Sequence, residues 1–595
     1  MPARRPKVYA RRTLDAIVTG LAALAALAGL ARPAIPRDAG EGAWPVGTPR
    51  PIAVRAGAAT FVVPSGSAGS RTLIVVSSLS RKPGAYPIRI SARPADRAQS
   101  PILAEDGAAR TPSLPPPLPL TAEPTAPGWS PPAARTFHLP VRDGDLASPS
   151  NYVSVTARLR GFGRAVQVYV DPADLGRVDE ATVRDVVATF DDRVLPRARQ
   201  TIGTARDIDG DGRFTVLFSG WLGHLADGKL AVDGFVRGSD FEIGQPSPLG
   251  NRCDMMYLSA SLAAGPHLRT VVAHEYTHAV TYCRKALRPA GGDEEGWLDE
   301  ALAHLAEDLH GFSRSNLDYR VAAFLAAPER YRLLVDDYGT ADLIRSHGHR
   351  GSAYRFLRWC ADHYGPDLLG TLIRSDRRGV ANLEAATGMS FAALYRGWSV
   401  GLFLDAMRPN ESQEDRVPPR FARLTPGGED DVATLDGTTS HFTIVDGATS
   451  AAVAITVTGP PGAEIQVTAV RLPEDYPRVD LDARVEPGSD GRLLLRVRLR
   501  ERDGREVAME SLQWSPEVPP ADRARRPGSL TGEALVKAFG RDRLSGHDRI
   551  AAAPIPLAAG TGPGPLVVRF VGHDAKGRRV VGQAECEAIG RPSRD

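Results

Sequence analysis

His274 and His278 stand four residues apart in Val271-Val-Ala-His-Glu-Tyr-Thr-His-Ala-Val-Thr-Tyr282. Four residues is one helical turn, so both imidazoles can face a single metal ion. Glu275 follows the first histidine and would stand beside the water such an ion holds. This is the arrangement of a zinc peptidase site, in which two neutral imidazoles bind the ion and a carboxylate beside it handles the proton. Zinc also needs a third protein ligand and an open fourth position. The downstream stretch Trp297-Leu-Asp-Glu-Ala-Leu-Ala-His-Leu-Ala-Glu-Asp-Leu-His310 offers Glu300. An HExxH arises by accident in on the order of one in a hundred chains of this length, so the motif gains its weight from the apolar helical frame around it and from the second helix with its carboxylate.

The elements that must hold these residues follow from periodicity. Val271, Val272, Ala279 and Val280 keep helical spacing around the two histidines. On the second helix Glu300, His304 and Glu307 share one face, while Leu298, Leu302, Leu305 and Leu309 form the other and belong to the core. Glu300 is the expected ligand, with Asp299, His304 or Glu307 as candidate orienting partners behind the ligands; for His304 a partly exposed helix histidine is an equal expectation. Upstream, strand-like Tyr152-Val-Ser-Val-Thr156 and Val166-Gln-Val-Tyr-Val170 precede a helix carrying Val183, Val186, Val187, Phe190 and Val194, and three short strands near 213–218, 232–236 and 255–258 come next. This order predicts the upper half of a zincin, with an edge strand that holds substrate in extended form. Amphipathic segments 352–364 and 391–404 predict a helical lower half. Zinc would polarise the scissile carbonyl and bring the pKa of its water to about 7; Glu275 would take the proton and return it to the leaving amine. An oxyanion-stabilising group is also expected, and Tyr338, His347, His349 and Tyr354 are the candidates near the loop between lower-half helices.

A second constellation is Asp207-Ile-Asp-Gly-Asp-Gly212. Asp207, Asp209 and Asp211 alternate with glycines that permit a tight turn, as calcium loops require, although Phe218 stands where an EF-hand has its glutamate. A structural calcium ion is the expectation, against an ordinary Asp/Gly turn.

At 595 residues with 42% hydrophobic composition the chain is too long for one core, so several domains are expected. With 73 basic against 70 acidic residues charge singles out no nucleic-acid partner, and none is expected. The N-terminus joins a basic region (Arg4, Arg5, Lys7, Arg11, Arg12) to an apolar run from Ala16 to Ala31. That reads as a signal for export, since about fifteen residues fall short of the roughly twenty of a membrane span; membrane attachment follows only if the segment stays as an uncleaved anchor. The expected location is therefore secreted or cell envelope. Export allows disulfides, and Cys253 and Cys283, flanking the last strand and the motif helix, are expected to pair, with Cys360 and Cys586 unpaired.

The expected architecture is multidomain α+β: a signal peptide or anchor at 1–31, an N-terminal β module at 45–96, a Pro-rich linker at 97–135, a zincin-like metallopeptidase domain (mixed sheet, active-site helix, helical lower half) at 136–408, a linker at 409–428 and C-terminal β-sandwich-like module(s) at 429–595. The segments His274-Glu-Tyr-Thr-His278, Trp297-Leu-Asp-Glu-Ala-Leu-Ala301, Cys253-Asp-Met-Met-Tyr-Leu258 and the Asp207 loop together resemble the hyicolysin family of gluzincin metallopeptidases over roughly 161–408. The resemblance implies zinc ligands His274, His278 and Glu300 and a catalytic Glu275. Where that family usually has glycine after the third ligand, this chain has Ala301, a change that bears on packing. The resulting expectation is an exported zinc endopeptidase acting on protein or peptide substrates. The competing expectation is an exported binding or surface protein with an inert peptidase-like domain, against which the complete ligand set argues. A zinc aminopeptidase would need an acidic anchor of the Gly-x-Met-x-Asn type, and no such stretch is present.

Overall fold

The computed structural model describes residues 44–586 apart from 65–69, 96–129, 287–291, 344–345, 408–417, 448–451, 473–478, 489–492, 502–504, 517–527, 546–549, 558–565 and 578. The expected signal segment, most of the Pro-rich linker and the first part of the second linker lie outside the described residues. Val46–Asp595 forms one compact unit, and no helix among the described residues is long and apolar enough to cross a membrane.

The central part begins with a six-stranded mixed sheet built from β5 (Ala134–Pro140), β6 (Tyr152–Phe162), β7 (Val166–Val170), β8 (Phe214–Ser219), β9 (Gly234–Phe235) and β10 (Met255–Ser259). Their order is β5-β6-β7-β8-β10-β9. β7, β8 and β10 run parallel, and the two-residue β9 closes the edge antiparallel to β10, pairing Phe235 with Tyr257 and Gly234 with Leu258. Two helices, α1 (Glu180–Thr189) and α2 (Leu195–Thr201), connect β7 to β8, and α3 (Pro266–Lys285) follows β10. Alternation along the strands sorts side chains onto two faces. Val166, Val168, Val170, Val216, Phe218, Met256 and Leu258 join the main core with Val272, Tyr276 and Val280 of α3. Phe137, Tyr169, Leu217, Cys253, Met255 and Tyr257 form a separate core on the opposite face.

That parity overturns the expected Cys253–Cys283 bridge. Cys253 shares the face of Met255 and Tyr257, whereas Cys283 packs against the main core, so the sheet lies between them. All four cysteines are free. The Cys253 thiol donates to Thr215 Oγ1 at 3.3 Å, and Cys283 Sγ accepts from the Arg206 N–H at 3.3 Å.

After α3 come α4 (Gly296–His310), α5 (Ser315–Ala326), α6 (His347–Tyr364), α7 (Leu368–Arg374), α8 (Gly379–Thr387) and α9 (Phe391–Leu404). The start of α4 is anchored by the segment before the loop to α6: Gly296 and Trp297 donate their N–H groups to the Asp336 and Val335 carbonyls at 2.7 and 2.8 Å. A Cβ on Gly296 would come within 2.9 Å of the Asp336 oxygen, so this approach requires glycine. At its other end α4 stops at Gly311, whose φ of 66° is left-handed.

The β regions differ from the expected separate modules. β1 (Pro49–Ile52), β2 (Ala58–Val63), β3 (Arg71–Ser78) and β4 (Tyr86–Ala95) do not close a sheet among themselves. They interleave with β11 (Ala422–Leu424), β12 (Asp431–Leu435), β13 (Ser440–Asp446), β14 (Ala452–Thr458) and β15 (Ile465–Leu472) in two sheets ordered β1-β15-β3-β13-β11 and β12-β4-β14-β2. Thus 45–96 and the first part of 429–595 make one structural element from both sides of the stretch between them. The reason is hydrogen bonding: β3 and β4 each take strands from residues beyond 421 as both neighbours. β3 is buried at all eight positions, and its Leu73 and Val75 enter the main core with Phe442, Ile444, Val470 and Leu472. The remaining strands, β16 (Val479–Pro487), β17 (Leu493–Glu501), β18 (Val507–Pro516), β19 (Gly528–Thr531), β20 (Arg543–Leu544), β21 (Ile550–Pro556), β22 (Leu566–Asp574) and β23 (Arg579–Cys586), form two more sheets around a core of their own with the short α10 (Gly532–Phe539).

Candidate metal centre

α3 and α4 lie side by side, and their facing residues make the site. His274, His278 and Glu300 bring one ligand atom each within 4.8 Å of one another. The two Nε2 atoms are 3.0 Å apart, and His274 Nε2 lies 3.8 Å from Glu300 Oε2. Each imidazole is held from behind by a carboxylate of α4: His274 Nδ1 is 2.6 Å from Glu307 Oε1, and His278 Nδ1 is 2.8 Å from Asp299 Oδ2. A carboxylate at Nδ1 keeps a proton there and leaves the Nε2 lone pair for a metal. The donor set therefore fits a zinc ion, with two imidazole nitrogens and one carboxylate oxygen facing a common point.

Glu275 is buried, 6% exposed. Its environment raises its pKa above the ordinary 4.5, chiefly through burial, against the opposing pull of His274 and His278. Gly234 of the edge strand sits directly on it, for a Cβ there would meet Val271 Cγ1 at 2.9 Å and Glu275 Oε1 at 3.1 Å. The short strand β9 is thus pressed against the helix turn that carries the carboxylate.

Glu300 is pulled in two directions. Burial alone would raise its pKa, but the Arg350 guanidinium, with the three histidines, holds it well below the usual carboxylate range. Arg350 Nη2 lies 3.0 Å from Oε1, so Oε2 is the oxygen turned toward His274. Arg350, on the first turns of α6, was not singled out from the sequence. A helical arginine among many carries no periodic signal, and only the packing of α6 on α4 brings it to Glu300.

His304 is 1% exposed. Its Nδ1 bonds Glu307 Oε1 at 2.8 Å, and its Nε2, 3.6 Å from Glu300 Oε2, has no hydrogen-bond partner. Burial lowers its pKa to about 4, so it is neutral at pH 7. Glu307 serves both His274 and His304 and also accepts from Asn316 Nδ2 at 2.8 and 3.0 Å.

The four candidates for an oxyanion group separate. Tyr338 is buried, its hydroxyl has no hydrogen-bond partner, and the Arg350 guanidinium lies 5.0 Å from its ring centre. Burial, then the charge of Glu300, raises its pKa. His347 opens α6 with its ring edge-on to Tyr319 at 4.8 Å. His349 is committed elsewhere, bonded to Ser346 Oγ at 2.6 Å and packed edge-on to Tyr331. Tyr354 is buried within α6 beside Asp308.

Away from this site, Asp207, Asp209 and Asp211 also gather their carboxylates within 4.8 Å. Asp207 accepts from the Gly210 and Gly212 N–H groups at 2.8 and 3.1 Å, and Asp211 from that of Arg213 at 2.8 Å. The sequence reading missed Arg135, whose Nη1 reaches from β5 to 2.7 Å from Asp209 Oδ2 and 3.8 Å from Asp211 Oδ2. The loop thus has a cation of its own, from a strand some seventy residues away in sequence.

No family model matches the chain. Over 174 residues, 28% of this chain and 38% of the relative, it is 24% identical to the neutral metalloprotease ShpI of Staphylococcus hyicus. The chain therefore spans little more than a third of that relative's length, and the likeness is that of a distant metalloprotease relative.

Proposed function

We propose that the chain is an exported zinc-dependent endopeptidase of the hyicolysin type, with a zincin-like domain that binds the ion through His274, His278 and Glu300 and uses Glu275 as general base. The observation that carries this reading is the convergence of two Nε2 atoms and a carboxylate, each imidazole oriented by its own carboxylate, with Glu275 on the same turn. A bound zinc ion supplies Lewis acidity, polarising a scissile carbonyl and making water nucleophilic near neutral pH. The chain's own residues do the rest. Glu275 accepts the proton of the attacking water and passes it to the departing amine, which leaves neutral; its burial favours proton uptake. The outer edge of β9 offers unpaired backbone groups to an extended peptide, which then passes the Glu275 turn. Tyr338 is the donor best suited to the developing oxyanion, its hydroxyl being buried and unspent. The relative named a neutral metalloprotease and the antiparallel edge strand beside the motif helix both support the reading.

The test is hydrolysis of a quenched protein substrate by purified protein loaded with zinc, alongside Glu275→Gln. Wild type is expected to cleave, chelator to abolish cleavage and zinc to restore it. Glu275→Gln should lose several orders of magnitude in rate while binding about one zinc. Chelator-insensitive or absent cleavage overturns the proposal.

A further inference from the structure

Positive charge around the site is unevenly paired. Arg350 has Glu300, but Arg320 of α5 has no carboxylate within ion-pairing distance among the described residues. Its Nη1 donates to the backbone and side-chain oxygens of Asn316, and its buried Nε has no partner. Nearby carboxylates are already engaged: Glu307 by His274, His304 and Asn316, and Glu300 by Arg350. Leaving a half-buried guanidinium without a counter-ion costs free energy that a bound anion would recover.

Its place bears on what that anion would be. The backbones of α5 and α6 meet at Arg320 and Gly351, where a Cβ on the glycine would run into the Arg320 carbonyl oxygen, so Arg320 stands beside the base of Arg350. Asn316, which takes the Arg320 Nη1, also donates to Glu307 on the metal-facing side of α4 at 2.8 and 3.0 Å, and the charge of Arg320 opposes the rise in the His267 pKa that its bond to Asp233 causes. His267, near the start of α3, bonds Asp233 at 3.0 Å, and Asp233 immediately precedes β9. Arg320 is therefore within electrostatic reach of both the ligand cluster and the start of the edge strand, the span an extended peptide would cross.

We propose that Arg320 is a carboxylate-binding group of the substrate site, which, resting on the peptidase reading above, takes either an acidic side chain near the scissile bond or the peptide's C-terminal carboxylate. A planar guanidinium suits a carboxylate in two-point contact.

Two series of quenched peptides test this. In the first, with amidated termini, Asp or Glu is exchanged for Asn or Gln at each position around the scissile bond. In the second, acid-free peptides carry a free or amidated C-terminus. Wild type is expected to prefer one carboxylate member by on the order of ten- to a hundredfold in kcat/KM. The series that shows the preference identifies the carboxylate. Arg320→Gln should bring that ratio toward one, and Arg320→Lys should keep part of it. The same preference should appear in Kd by fluorescence anisotropy with Glu275→Gln and vanish in Glu275→Gln/Arg320→Gln. Equal handling of acid and amide by wild type overturns the proposal, as does a preference that survives Arg320→Gln at wild-type melting temperature and zinc content. If no peptide is cleaved, the peptidase reading fails, and the anisotropy pair still decides whether Arg320 binds carboxylate.

Discussion

At the scale of residues, the two glutamates and the buried histidine have separable tasks. On the proposed reading Glu300→Ala removes one of three ligands, so zinc is expected to be lost or weakened along with activity. His304 turns Nε2 toward Glu300 from 3.6 Å, close enough to compete for the role of third ligand, so the comparison is informative. His304→Ala should keep zinc near one per chain with at most a 10- to 100-fold loss, roughly, in activity. Metal analysis of the two variants decides it, for zinc kept by Glu300→Ala and lost by His304→Ala would make His304 the ligand. The orienting carboxylates should also differ. The Glu307 side chain is fully buried and serves His274, His304 and Asn316, whereas that of Asp299 is 31% exposed and serves His278. Glu307→Ala is therefore expected to weaken zinc by about 10- to 100-fold and Asp299→Ala by less, as competition with a chelating dye will measure. Equal losses would mean that burial behind the ligand does not matter here.

Elements set how closely these groups are held. β9 has only two residues, yet Gly234 fixes the space left to Glu275. A Cβ there meets Glu275 Cγ at 3.0 Å, so Gly234→Ala must push the strand or the carboxylate by a few tenths of an ångström. Activity should fall on the order of tenfold, since misplacement by about 1 Å costs about a hundredfold, with zinc content and melting temperature near wild type. An unchanged rate would show that the turn gives way freely. On the far side of the sheet, the ion pair from β5 to the Asp207–Gly212 loop makes a different expectation. With Arg135 in place, Asp209 already has a cation at 2.7 Å and Asp211 has the same one at 3.8 Å. Arg135→Ala should destabilise the protein in chelator and regain more of its melting temperature on adding calcium than wild type does. If calcium shifts neither protein, the loop is an Asp/Gly turn clamped by arginine.

Across the whole molecule, the strands from 49–95 are completed by those from 422–472, and β3 contributes to the core that the helices share. The helices that carry the candidate metal centre and this β element should therefore fold together, while the strands from 479–586 surround their own core. Ending the chain after residue 421 strips β3 of both hydrogen-bonded neighbours and should yield insoluble or unfolded protein. Ending it after 472 should leave a folded, zinc-binding protein with a lower melting temperature, because Val571 of β22 no longer covers the main core. Circular dichroism melting and zinc content of the two truncations check this, and a folded, zinc-binding 1–421 fragment would overturn it.

What the sequence determined by itself is local. His274, His278 and Glu275 share a helix turn because spacing along one helix sets which side chains are neighbours. The same holds for the face of Glu300, His304 and Glu307 opposite Leu298, Leu302 and Leu305, which are indeed buried. Tertiary structure decided everything that depends on how separate elements meet. It assigned Glu307 to His274 and Asp299 to His278, brought Arg350 to Glu300 and Arg135 to Asp209, and set Cys253 and Cys283 on opposite sides of a sheet. It also braided the strands of 49–95 and 422–472, from before and after the helices, into one element. None of these carries a periodic signal, because a contact between residues tens or hundreds apart is set by packing and by strand pairing across the fold, not by the pattern within either partner.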